Sequence, residues 1–208
     1  ALYTYLSSYD LSMKYRLLLI PLLIVMVLAG VVIIYAPGTS SVELASCVQS
    51  EDGDCIHFPT VSGDTLSGNT VTLPDFFTGQ YNLVILPFNR EQQEAVIDWL
   101  PFAQDLQAEY NGLKYYSIGA LPDVSAPVRL MISGGMRLVV EADVQDVSVL
   151  LYLEDQGAFA DALGVSSLDE MQFLILNSQG DVIWQTSGAY SESLADTIHE
   201  QVAGLPFE

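Results

Sequence analysis

Positive charge is scarce in these 208 residues: six Lys and Arg stand against 26 Asp and Glu, a net charge of −20. Such a balance repels nucleic acid and anionic lipid headgroups, which excludes binding modes that depend on neutralising phosphates. Cysteine is scarcer still. The chain has two, Cys47 and Cys55, so it can build neither a disulfide-dense scaffold nor a four-cysteine metal site. Two histidines, His57 and His199, leave no Ser-His-Asp set standing out. The glycines of "ISGGM" do not follow a strand in any phosphate-loop spacing. "SEDGD" at 50–54 holds carboxylates but lacks the twelve-residue calcium-loop pattern. No metal or cofactor is therefore expected.

What the sequence does have is a long uncharged apolar run, "LLLIPLLIVMVLAGVVIIY", from Leu17 to Tyr35. A helix of that length rises about 28 Å, which matches the hydrocarbon core of a bilayer, and its apolar residues lie all round rather than on one face. The reading is a short N-terminal segment (1–16), a transmembrane helix (17–36), a tether (37–57) and a folded domain (58–208). A secretory signal peptide competes for the run, since Lys14 and Arg16 precede it. The stretch is longer than such a signal needs and no small-x-small cleavage pattern follows at once, so a retained anchor is expected. "LASC" at 44–47 resembles a lipoprotein cleavage box but is separated from the apolar run by a polar stretch. Because Lys14 and Arg16 lie before the run and the first charges after it are acidic, the N-terminus is expected in the cytoplasm and the domain outside the inner membrane. Beyond the run, four basic residues face 25 acidic ones, a balance of −21. That field would attract a basic protein or a cation, although exported domains are often acidic for solubility alone. Gly30 beside Ala29 offers one close-packing spot for a neighbouring helix.

Cys47 and Cys55 lie in "CVQSEDGDC", with Gly53 available for a tight turn. In an oxidising compartment this pair reads most simply as a structural disulfide, whose short loop contributes about 2–3 kcal/mol in the chain-entropy account. A redox-active pair is the less favoured reading: the spacing is not C-x-x-C, and acidic neighbours raise a thiol pKa where Lys, Arg or a helix start would lower it. His57 makes a Cys, Cys, His metal site conceivable, but a fourth ligand is lacking.

In the domain, "TVTL" reads as a strand after turns at Gly63 and Gly68, and Asn82–Phe88 as a central strand, since its apolar residues do not alternate. A helix follows from about Arg90, capped by Asn89, with Val96, Trp99, Leu100, Ala103, Leu106 and Tyr110 on one stripe and Pro101 inside it. "LKYYSIGAL" supplies the next strand, completing a right-handed parallel unit. Residues 124–140 read either as a helix from Pro127 broken at Gly134 and Gly135 or as a helix with an appended strand, with mostly helix favoured. "VSVLLYL" is a further strand, "DQGAFADALGV" a short helix ended by Gly164, and "MQFLILNSQGDVIWQTSG" a hairpin around Asn177–Gly180. The last helix spans 191–203 with Ser191 as its cap. Trp99 and Trp184 read as core residues, and His199 as an exposed one.

This order gives an α/β fold, a mixed sheet flanked by helices. "GNTVTLPDFFTGQYNLVILPF", the helix kinked by Pro101 and "FLILNSQGDVIWQTSG" together resemble the thioredoxin-like superfamily, in particular its peroxiredoxin-type and ATP-synthase assembly-factor branches, over about seventy per cent of the chain. The resemblance implies two cysteines eight and five residues before the kink proline. Counting back from Pro101 gives Gln93 and Val96. It also implies a proline just before the facing strand, where "SLDEMQF" has none, and a peroxiredoxin-type cysteine near 89–94, which is absent too.

The expectation is therefore a non-enzyme: a membrane-anchored accessory subunit of a larger membrane complex, such as a bioenergetic one, packing through its helix and its outer domain. The alternative is a membrane-anchored thiol-disulfide or complex-assembly factor that uses Cys47 and Cys55.

Overall fold

The computed structural model describes residues 47–207. The expected transmembrane helix, 17–36, lies outside them, and among the described residues no helix is long and apolar enough to cross a membrane. Within the described residues, one mixed sheet contains β1 (Val61–Thr65), β2 (Thr70–Leu73), β3 (Tyr81–Leu86), β4 (Leu113–Pro122), β5 (Ser148–Leu153), β6 (Gln172–Asn177) and β7 (Val182–Ser187). Their spatial order is β2-β1-β5-β4-β3-β6-β7. The flanking helices are α1 (Arg90–Glu109), α2 (Ala126–Val139), α3 (Gln156–Ala162) and α4 (Glu192–Ala203).

β3 organises the rest because all six of its residues are buried. Strand alternation sends Leu83 and Ile85 to one face, where they pack with Trp99 of α1, Phe173 of β6 and Ile198 of α4. Val84 and Leu86 go to the other face, against Phe58, Ile118 and Phe159. Asn82 shares that second side of the pleat and is fully buried, yet its amide is satisfied: Oδ1 accepts from Gly79 N at 2.9 Å and Nδ2 donates to Gly79 O at 3.2 Å. β3 pairs in parallel with β4 and antiparallel with β6, so the β3-α1-β4 unit is parallel as expected.

α1 begins where the sequence places it, with Asn89 Oδ1 accepting from Gln92 N at 2.9 Å. Pro101 sits inside the helix, and Val96, Trp99, Ala103 and Leu106 form its buried stripe. Ser191 caps α4 in the same way, accepting from Leu194 N at 3.2 Å.

Three expectations need correction. Residues 126–139 form one uninterrupted helix, so Gly134 and Gly135 do not break it; each costs about 1 kcal/mol relative to alanine, which the turns on either side absorb. Gly63 lies inside β1 rather than at a turn, because β1 runs so close to β5 that a Cβ there would sit 2.6 Å from Leu151 Cδ2 and 2.8 Å from Leu150 O. Trp184 is half-buried on the edge strand β7 and not a full core residue, whereas Trp99 is fully buried.

Phe173 is fully buried, with its ring centroid 4.3 Å from that of Trp99. Phe173→Ala is expected to destabilise the domain by about 3–5 kcal/mol, seen as a lower urea midpoint with an unchanged slope. A loss under about 1 kcal/mol would mean that this face of the sheet is not the packed core described.

Candidate functional site

The segment from Cys47 to Phe58 is bound along the β7 edge of the sheet. Val48 N donates to Val182 O at 2.7 Å, Ile56 N to Val48 O at 2.8 Å, Val182 N to Ile56 O at 2.9 Å and Phe58 N to Gly180 O at 2.9 Å. This pairing fixes which way each side chain points. Ile56 and Phe58 are buried in the core, and the alternate residues Cys55 and His57 are turned out and exposed. Cys55 is disulfide-bonded to the half-buried Cys47, with their Cα atoms 5.4 Å apart. Gly53, at φ +87°, turns the loop between them.

His57 faces Asp181 across an isolated bridge, and its Nδ1 lies 3.1 Å from Asp181 Oδ1. Asn177 Nδ2 donates to the other carboxylate oxygen, Oδ2, at 2.9 Å, and Asn177 Oδ1 accepts from Asp181 N at 2.9 Å. The Asn177 hydrogen bond and then that from His57 hold the Asp181 carboxyl below its ordinary range, against a smaller opposing effect of burial. Asp181 is thus a carboxylate and an acceptor, so Nδ1 of His57 carries the proton in this contact and Nε2 is left for other partners. Gly180 makes room for the ring: a Cβ there would sit 3.1 Å from His57 Cε1 and 2.8 Å from Pro74 Cβ.

The positions counted from Pro101 lie elsewhere. Val182 is level with Leu176 of β6 and, through it, with Asn82 near the start of β3. Gln93 is in the first turns of α1, beyond the far end of β3. The cysteine pair and the Gln93 position therefore lie at opposite ends of the sheet, separated by roughly the length of a five-residue strand, about 13 Å or more. Val96 is buried in the α1 stripe. Gln93 Oε1 is buried beside Gly119 without a hydrogen-bond donor among the described residues.

Other amides tie this end together. Gln92 Oε1 accepts from Phe88 N at 2.7 Å while its Nε2 donates to Leu168 O at 2.8 Å, and Gln156 Nε2 donates to Phe88 O at 2.6 Å. Sequence reasoning passed over Gln92 and Gln156, because nothing local in the sequence marks a side chain that bonds 68 or 76 residues away. Next to them an apolar groove of about 760 Å³ opens between α1 and α2, lined by Gln93, Ile97, Leu100, Met131 and Met136 among others. Among the described residues no group of three or more His, Cys, Asp or Glu side chains is placed to hold a metal ion. His199 is half-buried, with Nε2 3.2 Å from Glu109 Oε2.

No protein-family model matches the sequence, and no curated protein matches it either. Solved structures do match. BsSco, a member of the Sco family of cytochrome c oxidase assembly proteins studied for a disulfide switch, superposes with a TM-score of 0.51 at 16% identity, over 75% of this chain and 95% of its own. A candidate thiol:disulfide interchange protein DsbE from Chlorobium tepidum gives 0.50 at 15% identity, over 77% of this chain and 100% of its own.

The domain has the thioredoxin-like fold.

This comparison corrects the expectation of a non-enzyme. That expectation rested on the missing cysteines at Gln93 and Val96. Their absence does not exclude thiol chemistry, since this thioredoxin-like chain carries a bonded cysteine pair elsewhere, with Cys55 exposed and Cys47 half-buried, and proteins sharing its fold include a candidate thiol:disulfide interchange protein.

The lowered Asp181 pKa has a consequence for acid stability. A carboxyl whose folded-state pKa is depressed contributes stability that is fully present above its unfolded value, about 3.9, and is lost as pH falls through the folded value. Asp181→Asn should therefore flatten the loss of stability below about pH 4, measured by urea titrations across pH 2–6. An acid limb as steep as that of the unsubstituted chain would show that the His57–Asp181–Asn177 contacts do not form in solution.

Proposed function

We propose that this protein is a thiol-disulfide exchange factor in which the Cys47–Cys55 pair cycles between disulfide and dithiol, serving the assembly of a membrane-bound complex. The observation that carries the reading is the disulfide itself: it joins the two cysteines of the chain and is presented on the outer side of a segment whose inner side is locked into the core. A bond placed only to staple the loop could as well be buried. Here Cys55 is exposed to an incoming thiolate. The likeness in fold to BsSco and to the interchange protein supports the reading, and the expected 17–36 anchor would hold the domain at the outer surface of the membrane. The −21 balance beyond that anchor suits a basic exchange partner, whose approach it would speed at low salt.

Equilibration of the full chain in graded glutathione buffers, with the two redox forms separated by mass spectrometry after alkylation, tests the proposal. A midpoint near about −200 mV is expected, within reach of cellular dithiols and disulfides. A midpoint below about −300 mV would mark the bond as a permanent staple and overturn the reading.

A further inference from the structure

Acidic residues crowd the disulfide loop, with Glu51, Asp52 and Asp54 between the two cysteines, and such neighbours work against a thiolate. An exchanging cysteine here needs a group that takes its proton and offsets that field. From the geometry on the β7 edge we infer that His57 is this group: it serves as the base for Cys55, the cysteine that attacks and is attacked, while Asp181 is the positioning residue that orients its ring. This deepens the proposed thiol-disulfide function and rests on it.

Three observations converge on His57. First, Cys55 and His57 are next-but-one neighbours in an extended segment, so both side chains leave the same face, about 7 Å apart along the strand. Ile56 between them is buried and pins the register, so a slip that would separate the pair would also expose Ile56. Second, the imidazole is held by Asp181 at Nδ1 and lies close against Gly180, where any Cβ would come within 3.1 Å of Cε1. A side chain serving only the surface has no need of such placement. Third, the contact with Asp181 engages Nδ1 and leaves Nε2 as the second ring nitrogen for a proton, and imidazole is the side chain suited to exchanging a proton near neutral pH.

Exposure then assigns the cysteines. Cys55 is open to solvent and Cys47 is half-buried, so Cys55 meets the partner and Cys47 resolves. In the reducing direction His57 Nε2 takes the Cys55 thiol proton, and the thiolate attacks one sulfur of a partner protein's disulfide. That S–S bond breaks, Cys55 becomes joined to the partner, and the displaced partner sulfur leaves as a thiolate that recovers the proton from His57. The Cys47 sulfur, giving up its own proton, then attacks Cys55 Sγ. The Cys47–Cys55 bond forms, and the second partner sulfur departs and is protonated. The partner's disulfide has been reduced to two thiols and this chain's dithiol oxidised to the disulfide seen here.

Alkylation of the chemically reduced full chain by iodoacetamide, followed by peptide mapping across pH 5–10, tests His57 separately from the exchange function. It reads thiolate character and does not depend on the reduction potential. The charged group in contact with the imidazole is Asp181 on the β6–β7 turn, and the carboxylates nearest to it in the chain are Asp54, Asp52 and Glu51 of the disulfide loop. In the unsubstituted chain Cys55 is expected to react at pH 7 about tenfold faster than in His57→Gln, and its profile to lie about one pH unit lower. Cys47 should respond little. Asp181→Asn should fall between the two, because the ring stays but loses its orientation. Cys55 rates within twofold of each other in the unsubstituted, His57→Gln and Asp181→Asn chains would overturn the assignment. A His57-dependent Cys55 rate combined with a potential too low for exchange would instead uphold the local chemistry and sink the proposed function.

Discussion

Ile56 and Phe58 are the side chains on which the arrangement at the sheet edge depends. Both are buried in the core formed by β3, β4 and α3, and the extended backbone between them hydrogen-bonds to β7. Once they are inside, the two-residue period of a strand leaves Cys55 and His57 no choice but the outer face. Burying two such side chains contributes about 3–6 kcal/mol, far more than any single exposed contact in the loop. The core thus sets the position of the cysteine pair, and the disulfide loop adds little to that placement.

The far end of the sheet shows the reverse arrangement. There the fold ordinarily leads with a cysteine at the start of a helix, but this chain offers Gln93 and, one turn on, the buried Val96. Gln92 and Gln156 then cross-link the strand ends through backbone groups. Amides in these places hold the end of β3 against its neighbours and supply no nucleophile. Fold and site have parted company, as they do wherever one scaffold serves several chemistries. The sole thiol chemistry open to this chain lies about one strand length away, on the β7 edge.

Much of this was legible in the sequence because it is local. The uninterrupted apolar run of β3, the Asn89 and Ser191 caps, Pro101 inside α1 and the turn ending at Gly180 all follow from neighbouring residues, and the gap at Gln93 and Val96 follows from counting back from Pro101. What was missed is non-local. Gly63 looks like a turn residue until β5 is placed against it, and Gly134 and Gly135 look like breakers until the whole of α2 forms around them. His57 was weighed as a metal ligand or as part of a Ser-His-Asp set, since the Asp181 that orients it is 124 residues away. The inference of a non-enzyme failed for the same reason. It judged thiol chemistry at the position where the fold usually holds it and took the acidic flank of Cys55 as decisive, although His57, two residues on and oriented by the distant Asp181, can offset that flank.

Catalysed exchange tests the central claim most directly. The full chain, given glutathione as reductant, is mixed with a protein disulfide substrate, and the appearance of substrate thiols is followed beside a Cys47→Ser, Cys55→Ser chain. The account predicts repeated turnover by the native chain, above the rate with glutathione alone, and none from the doubly substituted one. Equal rates for the two chains would contradict it.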